Sequence, residues 1–398
     1  MRVLVHDYAG HAFCVQLSRA LAARGHDVRH VFSQATLCPK GELERRETDP
    51  ESLQLEGIAL GRMIRKDSFL DRFRLERDHG RRLVGVIDRF GPEVVISANT
   101  PSLPQHRLAV HLRRAGIPLV SWIQDMYGVA ARTILSKKLG IVGNLVGRYF
   151  ESLDRQSARQ SAEIVLITED FETKFREFGI SADRLHAIHN WAPIDSLPMR
   201  PRDNAWSEGQ GLGATCRFLY SGTLAMKHNP NLLLELARRL QDTGAGELIV
   251  ISEGPGVEWL RDKTSADGCA ALQLLPYQPF ERLAEVLASA DVLVSVLEPD
   301  ASAYCVPSKI LSYMCAGRAQ LAAMPASNQA TRLIAQHEMG VTTSPTDANG
   351  FATAALDLAA TPEVRQQMGT RARAYAEAHF DIEQICTQFC TVLQQARG

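Results

Sequence analysis

The feature that most constrains the fold of this chain is a repeated alternation of short apolar runs with helical patterns. RVLVH (2–6) is followed by a helical pattern and then by HDVRHVFS (26–33), which together make a βαβ unit. The same alternation restarts at FLYSG (218–222) and continues to DVLVSVL (291–297). Short, nearly continuous apolar runs are typical of buried parallel strands. Their alternation with helices predicts doubly wound α/β sheets.

The chain is long enough for two such units, and one segment marks the boundary between them. At 398 residues it exceeds one ordinary hydrophobic core, so two domains are expected. The segment 190–213 holds three prolines, three glycines and mixed polar residues with little periodicity. We therefore predict a first domain over residues 1–190 and a second domain that begins at 191.

Composition argues against several classes of function. A net charge of −1 does not suit a nucleic-acid-binding protein. The eight cysteines are scattered, with neither a C-x-x-C pair nor a metal-ligand spacing, and no secretory signal precedes them. We therefore expect a cytoplasmic protein with reduced thiols. No apolar run reaches transmembrane length, so any membrane contact would be peripheral, at the inner face of the cell membrane.

Two basic segments with interleaved apolar residues suit an anionic membrane surface. Residues 62–82 carry eight Arg or Lys against four Asp or Glu, a local charge of +4. In the second segment, Lys137 and Lys138 lie beside apolar side chains within a predicted amphipathic helix over 134–155, namely Ile141, Val142, Leu145 and Val146. A solvated helix face explains the first segment equally, and core packing explains the second.

Polar residues follow the first strand and a later strand, PLVSWI (118–123), where each strand ends. Asp7, Gly10 and His11 lie in the loop after the first strand, and Asp125 closely follows the later one. Ligands bind at the carboxyl ends of strands in such sheets, so these four residues are candidates for ligand contact. Gly10 allows close approach of the loop to a ligand, and Asp125 can orient a hydroxyl or assist proton transfer. Two alternatives stay open: His11 starts a surface helix, and Asp125 caps the following segment.

Loops in the second half suit a nucleotide diphosphate. Gly222 permits a tight turn after a strand, and Lys227 adds a cation on a flexible stem. Pro307 is expected in the first turn of a helix, so that Ser308 and Lys309 lie at a helix N-terminus that favours an anion. Further loop residues suit close approach or contact with a planar base: Glu253, Gly254, Tyr277 and Gln278. Each loop alone is explained as an ordinary turn, whereas their order and spacing together are specific.

At these positions the sequence resembles GT-B-fold glycosyltransferases of the large retaining family 4, or group 1. FLYSGTLAMKHN (218–229) is similar to the family's Y-x-G-R-x-x-x-K-x loop, and ISEGPG (251–256) is similar to its G-x-G-P turn. VPSKILSYMCAGRA (306–319) is similar to the P-S-K-x-x-x-Y-M-A-A-G-x-P stretch of members of the O-antigen and colanic-acid type. The opening VHDYAGH and the segment NWAPID resemble that subgroup too, so the resemblance covers nearly the whole chain.

The resemblance implies both a fold and an activity. The fold is GT-B: two Rossmann-like α/β domains face each other across a cleft, and the C-terminal helix crosses back to the N-terminal domain. Residues 380–398 would then complete the domain 1–190, leaving 191–379 as the donor domain. The activity is transfer of a hexosyl or N-acetylhexosaminyl group from a nucleotide diphosphate-sugar, with UDP as first choice. The acceptor would be a glycan or polyprenyl-linked glycan of a bacterial surface polysaccharide, and the reaction would retain configuration without metal or cofactor.

The resemblance also implies roles for individual residues. Lys227 and the amides of 307–309 would stabilise the leaving diphosphate. His11 and Asp125 are the other candidate catalytic groups, and together with Asp7 and Gly10 they form the acceptor side. Donor binding falls to Gly222, Thr223, Lys227, Glu253, Gly254, Tyr277, Gln278, Val306, Pro307, Ser308, Lys309 and Ser312.

Three departures from the family pattern concern this donor site. The two glutamates of the family's E-x7-E pair correspond to Tyr304 and Ser312, and a phosphate-binding arginine corresponds to Thr223. Ser312 or another group would then hold the donor ribose. Glu298 and Asp300 form a carboxylate pair, but two residues in a turn do not complete a coordination shell, so no metal is expected.

Two other functions fit the same architecture. A nucleotide-sugar epimerase would convert a nucleotide sugar with no acceptor present. A non-catalytic subunit would bind a nucleotide sugar or act as a scaffold within a polysaccharide assembly complex, and the missing glutamate pair keeps that alternative open. Fold alone does not separate these functions from glycosyl transfer.

Overall fold

Parallel β-sheets organise the protein, as seen in a computed structural model that describes residues 1–36, 40–61, 69–225, 228–265, 268–299 and 306–398. The chain divides into two units. Unit 1 comprises Met1–Asn190 together with Ile382–Gly398, and unit 2 comprises Trp191–Asp381. Each unit holds one sheet in which every described strand runs parallel to its neighbours.

The sheet of unit 1 has the strand order β3-β2-β1-β4-β5-β6-β7. Its strands are β1 (Arg2–Asp7), β2 (Asp27–Ser33), β3 (Leu53–Ile58), β4 (Val94–Ala98), β5 (Leu119–Ile123), β6 (Glu163–Leu166) and β7 (Leu185–Ala187). Val3 of β1 pairs with Val28 on one side and with Val94 on the other. The order of connection therefore reverses between β1 and β4, and ligands bind beside such a switch point in open α/β sheets.

Helices flank this sheet, and one of them is broken in the middle. They are α1 (Ala12–Ala23), α2 (Phe69–Phe90), α3 (Ser102–Ala115), α4 (Tyr127–Gln160), α5 (Glu172–Glu177) and the last helix of the chain, α14 (Ile382–Arg397). Helix α4 is interrupted at Gly140, whose φ of 56° and ψ of −128° are not helical. A single amphipathic helix over 134–155 is therefore a wrong prediction. Leu153 is buried, whereas Leu145 and Tyr149 are exposed, because the break creates two arms.

The last helix belongs to unit 1, as the resemblance implies. The Phe389 ring is fully buried and lies 4.8 Å, centroid to centroid, from the Trp122 ring of β5. Phe13 of α1 packs against the same tryptophan at 5.6 Å. The expectation that the C-terminal helix crosses back to the N-terminal domain is thus confirmed.

Unit 2 repeats the architecture with the strand order β10-β9-β8-β11-β12-β13. The strands are β8 (Cys216–Ser221), β9 (Gly246–Ile251), β10 (Leu272–Leu275), β11 (Val292–Val296), β12 (Ala319–Ala323) and β13 (Gly340–Thr343). The α-helices are α6 (Ala205–Gly209), α7 (Pro230–Thr243), α8 (Pro255–Thr264), α9 (Leu283–Ala288), α10 (Lys309–Ala316), α11 (Gln329–Gln336), α12 (Ala348–Ala360) and α13 (Pro362–His379). Its switch point lies between β8 and β11, where Val292 pairs with both Phe218 and Ala319.

We expect Phe389→Ala to destabilise unit 1 by about 3–5 kcal/mol, because it leaves a cavity against Trp122. Urea denaturation followed by tryptophan fluorescence measures this. The matched control is Gln394→Ala, an exposed position on the same helix, which should change the free energy of unfolding by no more than about 0.5 kcal/mol. Equal stability of both variants would show that α14 is not required to complete the core of unit 1.

Candidate functional site

A buried carboxylate closes the first strand at the switch point of unit 1. Asp7 is the last residue of β1 and is fully buried. Its Oδ1 accepts a hydrogen bond from the Ala9 N–H at 3.1 Å, and its Oδ2 accepts one from the His11 N–H. The His11 Nδ1 lies 3.4 Å from Asp7 Oδ1. The loop after β1 therefore folds around this carboxylate and brings the His11 ring beside it.

Electrostatics favour the charged form of both partners. Burial opposes ionisation of Asp7, but the attraction of His11 and the hydrogen bonds from it outweigh burial and lower the Asp7 pKa to about 2. Burial also disfavours protonated His11, yet the charge of Asp7, its hydrogen bond and the charge of Asp125 raise the His11 pKa above its ordinary value. The raised pKa favours the imidazolium, whose two ring nitrogens are both hydrogen-bond donors.

Asp125 belongs to the same cluster, because its charge acts on His11 and on Tyr127. Burial, followed by the charge of Asp125, raises the Tyr127 pKa well above the ordinary value. The Tyr127 hydroxyl donates a hydrogen bond to Asn99 Oδ1 at 2.6 Å. The structure therefore brings together Asp7, His11 and Asp125 at one edge of the sheet. Tyr127 and Asn99 were missed in the sequence, although each closely follows a strand.

A cavity opens beside this cluster at the ends of β4 and β5. Its empty space is about 560 Å³ out to the open mouth, and its lining includes Asn99, Asp125, Tyr127 and Asp154. Burial raises the Asp154 pKa to about 6, although hydrogen bonds from the Ser102 hydroxyl and from the Gly128 N–H act in the opposite direction. The Gly128 N–H lies 2.6 Å from Asp154 Oδ2. This wall therefore presents a carboxyl group that can be neutral or charged near neutral pH.

A buried polar network lies next to the cluster of Asp7, His11 and Asp125. His6 of β1 contacts His79 of α2, with 2.9 Å between their Nε2 atoms, and its Nδ1 lies 3.0 Å from the Thr100 hydroxyl. Burial lowers the His6 pKa to about 3, so His6 is neutral. Neutral imidazoles can share a hydrogen bond, which joins α2 to the strand that carries Asp7.

Gly10 approaches another part of the chain rather than open space. Its φ is +81°, and its carbonyl oxygen accepts a hydrogen bond from the Gly41 N–H at 2.9 Å. A Cβ at position 10 would lie 2.9 Å from the Leu43 side chain. Gly10 therefore shapes the loop around Asp7 through its backbone conformation and through packing on 40–43.

Asp7, His11 and Cys14 bring three potential metal-ligating atoms within 4.8 Å of one another. Burial raises the Cys14 pKa well above its ordinary value, so the thiol keeps its proton. The Asp7 carboxylate is already engaged by two backbone amides and by His11. A cysteine must lose its proton to bind a cation, and Cys14 keeps its proton. An ion-pair network therefore explains these contacts better than a cation site does.

In unit 2, a tyrosine ties helix α10 to the switch point. The Tyr313 hydroxyl oxygen accepts a hydrogen bond from the Ser221 N–H at 3.0 Å. The same hydroxyl lies 3.2 Å from the carbonyl oxygens of Ser221 and Val294, to which it can donate. Tyr313 therefore fixes α10 against the carboxyl ends of β8 and β11.

Lys309, the first residue of α10, occupies this switch point. Its Nζ lies 3.5 Å from the centroid of the Tyr220 ring. Gly222 has a φ of +123°, and a Cβ there would lie 3.4 Å from Lys309 Cε. The cation, the open backbone and the helix N-terminus together make a place for an anion.

Pro307 lies outside the helix, which begins at Lys309, so the prediction that Pro307 lies in the first turn is wrong.

Other predicted donor-site residues lie around this position. The Tyr277 hydroxyl donates to Thr223 Oγ1 at 3.0 Å, and the Tyr220 hydroxyl donates to the Thr223 carbonyl oxygen at 2.8 Å. The Gly222 N–H donates to the Ile251 carbonyl oxygen at 3.0 Å, which joins the loop after β8 to the end of β9. Thr223, Tyr277 and Gly222 therefore form one group at the carboxyl edge of the sheet.

The remaining residues predicted for the donor site differ in their hydrogen bonding and in their exposure. Gln278 Oε1 accepts a hydrogen bond from Trp206 Nε1 at 2.9 Å, so that end of its amide is occupied. Gly254 has a φ of +104°, and Glu253 beside it is exposed. Ser308 is exposed, whereas three further residues are half-buried: Val306, Ser312 and Glu298. Lys227, Asp300 and Tyr304 lie outside the described residues.

Both units match models of glycosyltransferase domains. Residues 10–191 match the glycosyl transferase 4-like domain, and residues 215–361 match the glycosyl transferases group 1 domain. The chain is therefore a glycosyltransferase of GT-B type, with one such domain in each unit. No curated protein matches the chain by sequence.

Solved structures share the fold over the full length. Sucrose-phosphate synthase from Thermosynechococcus elongatus superposes with a TM-score of 0.77 at 14% identity, covering 99% of this chain and 98% of its own. HepE of Anabaena, solved with UDP, gives 0.68 at 16% identity, covering 99% and 100%. WaaG, a glycosyltransferase involved in lipopolysaccharide biosynthesis, gives 0.71 at 14% identity, covering 98% and 99%. At these identities the likeness establishes the fold alone.

We expect His11→Gln to flatten the dependence of stability on pH, with its largest effect between pH 3.8 and pH 6.5. Without the imidazolium, burial dominates at Asp7 and its pKa rises from about 2. The stability from ionised Asp7 is present above the ordinary pKa of 3.8 and is lost as pH falls through the folded pKa, so the variant, which lacks this stability, approaches wild type in acid. Protonated His11 contributes its full stabilisation below pH 6.5, the ordinary pKa of histidine. This stabilisation is lost as pH rises through the raised pKa of His11, so the stabilities of wild type and variant converge in alkali.

Urea denaturation between pH 3 and pH 9 tests this, with a deficit of about 2 kcal/mol expected in the variant near pH 5. The matched control is His189→Gln, which removes an exposed histidine that lies 3.1 Å from the Glu169 carboxylate. A parallel pH profile for both variants would mean that the Asp7–His11 contact contributes no more than a surface ion pair.

Proposed function

We propose that the protein transfers a hexosyl or N-acetylhexosaminyl group from a UDP-sugar to a glycan or polyprenyl-linked acceptor. The setting would be bacterial surface polysaccharide synthesis at the inner face of the cell membrane, with retention of configuration. The observation that carries the proposal is Lys309 beside Gly222 at the switch point of the group 1 domain. Solved neighbours add support, because HepE was determined with UDP and with UDP-glucose.

The donor chemistry follows from where negative charge develops. As the bond from the anomeric carbon to the diphosphate oxygen breaks, the leaving group gains charge. The Lys309 ammonium and the backbone amides at the start of α10 would stabilise it, because they are already oriented before the reaction. The acceptor oxygen then bonds to the anomeric carbon on the face that the diphosphate leaves. Its proton passes to a diphosphate oxygen, so no strong side-chain base is required.

The acceptor would be bound by unit 1. Asp125 would accept a hydrogen bond from an acceptor hydroxyl, while protonated His11 would donate one to an acceptor oxygen. Asp7 would act through His11, since its carboxylate holds the loop and favours the imidazolium. Charge balance at the donor would come from the protein's own cations, so we propose that the reaction needs no metal.

Thermal stability against a panel of nucleotides tests the donor site. UDP, GDP, ADP and CMP are each added with and without EDTA. A ligand at 100 times its dissociation constant stabilises the protein by about 2.7 kcal/mol, which is a clear melting shift. We expect the largest shift with UDP and no effect of EDTA. The absence of any shift would favour a scaffold role, and a shift that EDTA abolishes would contradict the metal-free site.

We expect Lys309→Ala to weaken UDP binding by about ten- to a hundredfold, the range for lost hydrogen bonds to a charged group. Uridine binding should change little, because Lys309 faces the phosphates. Isothermal titration with both ligands measures the difference. The matched control is Lys263→Ala, an exposed lysine on α8 of the same unit, which should leave both affinities unchanged. Equal losses for uridine and UDP would remove Lys309 from the phosphate site.

Product analysis separates the enzyme classes and tests retention. A UDP-sugar is incubated with and without a polyprenyl-linked acceptor, and NMR reports the anomeric configuration of the product. Transfer that depends on the acceptor and keeps the donor configuration is expected. Conversion of the nucleotide sugar without acceptor would instead identify an epimerase, and an inverted product would overturn the retaining mechanism.

A further inference from the structure

The two arms of α4 form a helical hairpin, residues 127–160, whose tip is apolar and exposed. Gly140 separates the arms. The arms pack closely because a Cβ at Gly143 would collide with the Leu135 carbonyl oxygen, and one at Gly147 would collide with the Arg132 backbone. Glycine at these positions therefore lets the second arm lie directly against the first.

The apolar side chains of the second arm face away from the first arm. Ile141, Leu145 and Tyr149 recur every four residues and form one stripe. They are offset by two positions from Gly143 and Gly147, which is about 200° around a helix. With the neighbouring tip residues, six large hydrophobic side chains are 42–82% exposed: Ile134, Leu139, Ile141, Val142, Leu145 and Tyr149. Single exposed hydrophobic residues are ordinary, but a continuous patch of this kind marks a contact surface.

The charge of the hairpin selects the partner. Residues 127–150 contain four basic side chains and no Asp or Glu. Arg132 pairs with Glu151 at 3.0 Å. Lys137, Lys138 and Arg148 are exposed beside the apolar stripe. Aliphatic side chains, an interfacial tyrosine and surrounding cations match the boundary between lipid tails and phosphate head groups.

We propose that the tip of this hairpin docks the protein on an anionic lipid bilayer, inserting its apolar stripe at the head-group boundary. No described helix is long and apolar enough to cross a membrane, so the contact is interfacial. A second copy of the chain is a poorer occupant, because a twofold interface brings the same patch of both copies together and so gathers their like charges at one contact surface. The inference rests on the proposed action on a membrane-linked acceptor, but vesicle binding is measured without donor or turnover, so either can fail alone.

Two pairs of substitutions separate the apolar and charged contributions. Ile141→Gln with Leu145→Gln should weaken binding to vesicles of phosphatidylcholine and phosphatidylglycerol by at least roughly tenfold. Lys138→Gln with Arg148→Gln should weaken it by roughly ten- to thirtyfold, and by less in high salt. All four positions are exposed, so folding should be preserved, which circular dichroism and UDP-dependent melting shifts verify.

Matched controls lie in unit 2. Met199→Gln with Val364→Gln replaces two other exposed hydrophobic residues, and Arg238→Gln with Arg239→Gln removes two exposed charges. Cosedimentation should show wild-type binding for both controls, and weak binding of the wild type to phosphatidylcholine alone. The proposal is overturned if wild type ignores anionic vesicles, or if the hairpin variants bind as wild type does. It is also overturned if analytical ultracentrifugation shows that the hairpin substitutions break a dimer, since a second copy would then cover the patch.

Discussion

Parallel hydrogen bonding on both sides of one central strand is the constraint on which each unit depends. β1 and β8 are flanked by strands that connect in opposite directions, so the loops that follow them open into a crevice. Asp7 ends β1, and Gly222 follows β8, so each unit places candidate site residues at its own crevice. Buried contacts fix the carboxyl edge of each sheet. In unit 1 His6 of β1 contacts His79 of α2, and in unit 2 Tyr313 of α10 binds the Ser221 N–H at the end of β8.

Much of this was predictable from sequence, because strand ends are readable. The apolar runs predicted both sheets, and residues directly after them, such as Asp7 and Asp125, were expected to share one edge. The contact of the Lys309 ammonium with the Tyr220 ring was not predictable, since it depends on where α10 begins. Asp154 was also missed, because it lies deep in a helix and reaches the site only through the return of α4 at Gly140.

The helical break shows why periodicity alone misjudged one segment. Leu145, Tyr149 and Leu153 have the spacing of a buried face, and a straight helix would have buried all three. Three glycines instead permit two arms to pack backbone to backbone, so that the apolar stripe is directed outward. A sequence pattern gives the spacing of side chains but not the surface against which they pack.

The position of α14 has a consequence for the synthesis of the protein. Phe389 fills the space beside Trp122, yet it is synthesised after all of Trp191–Asp381. Unit 1 therefore lacks part of its core until the chain has been translated past Asp381, whereas Trp191–Asp381 is already available to fold. During that interval the tryptophan slot is an exposed hydrophobic site, which a chaperone could cover.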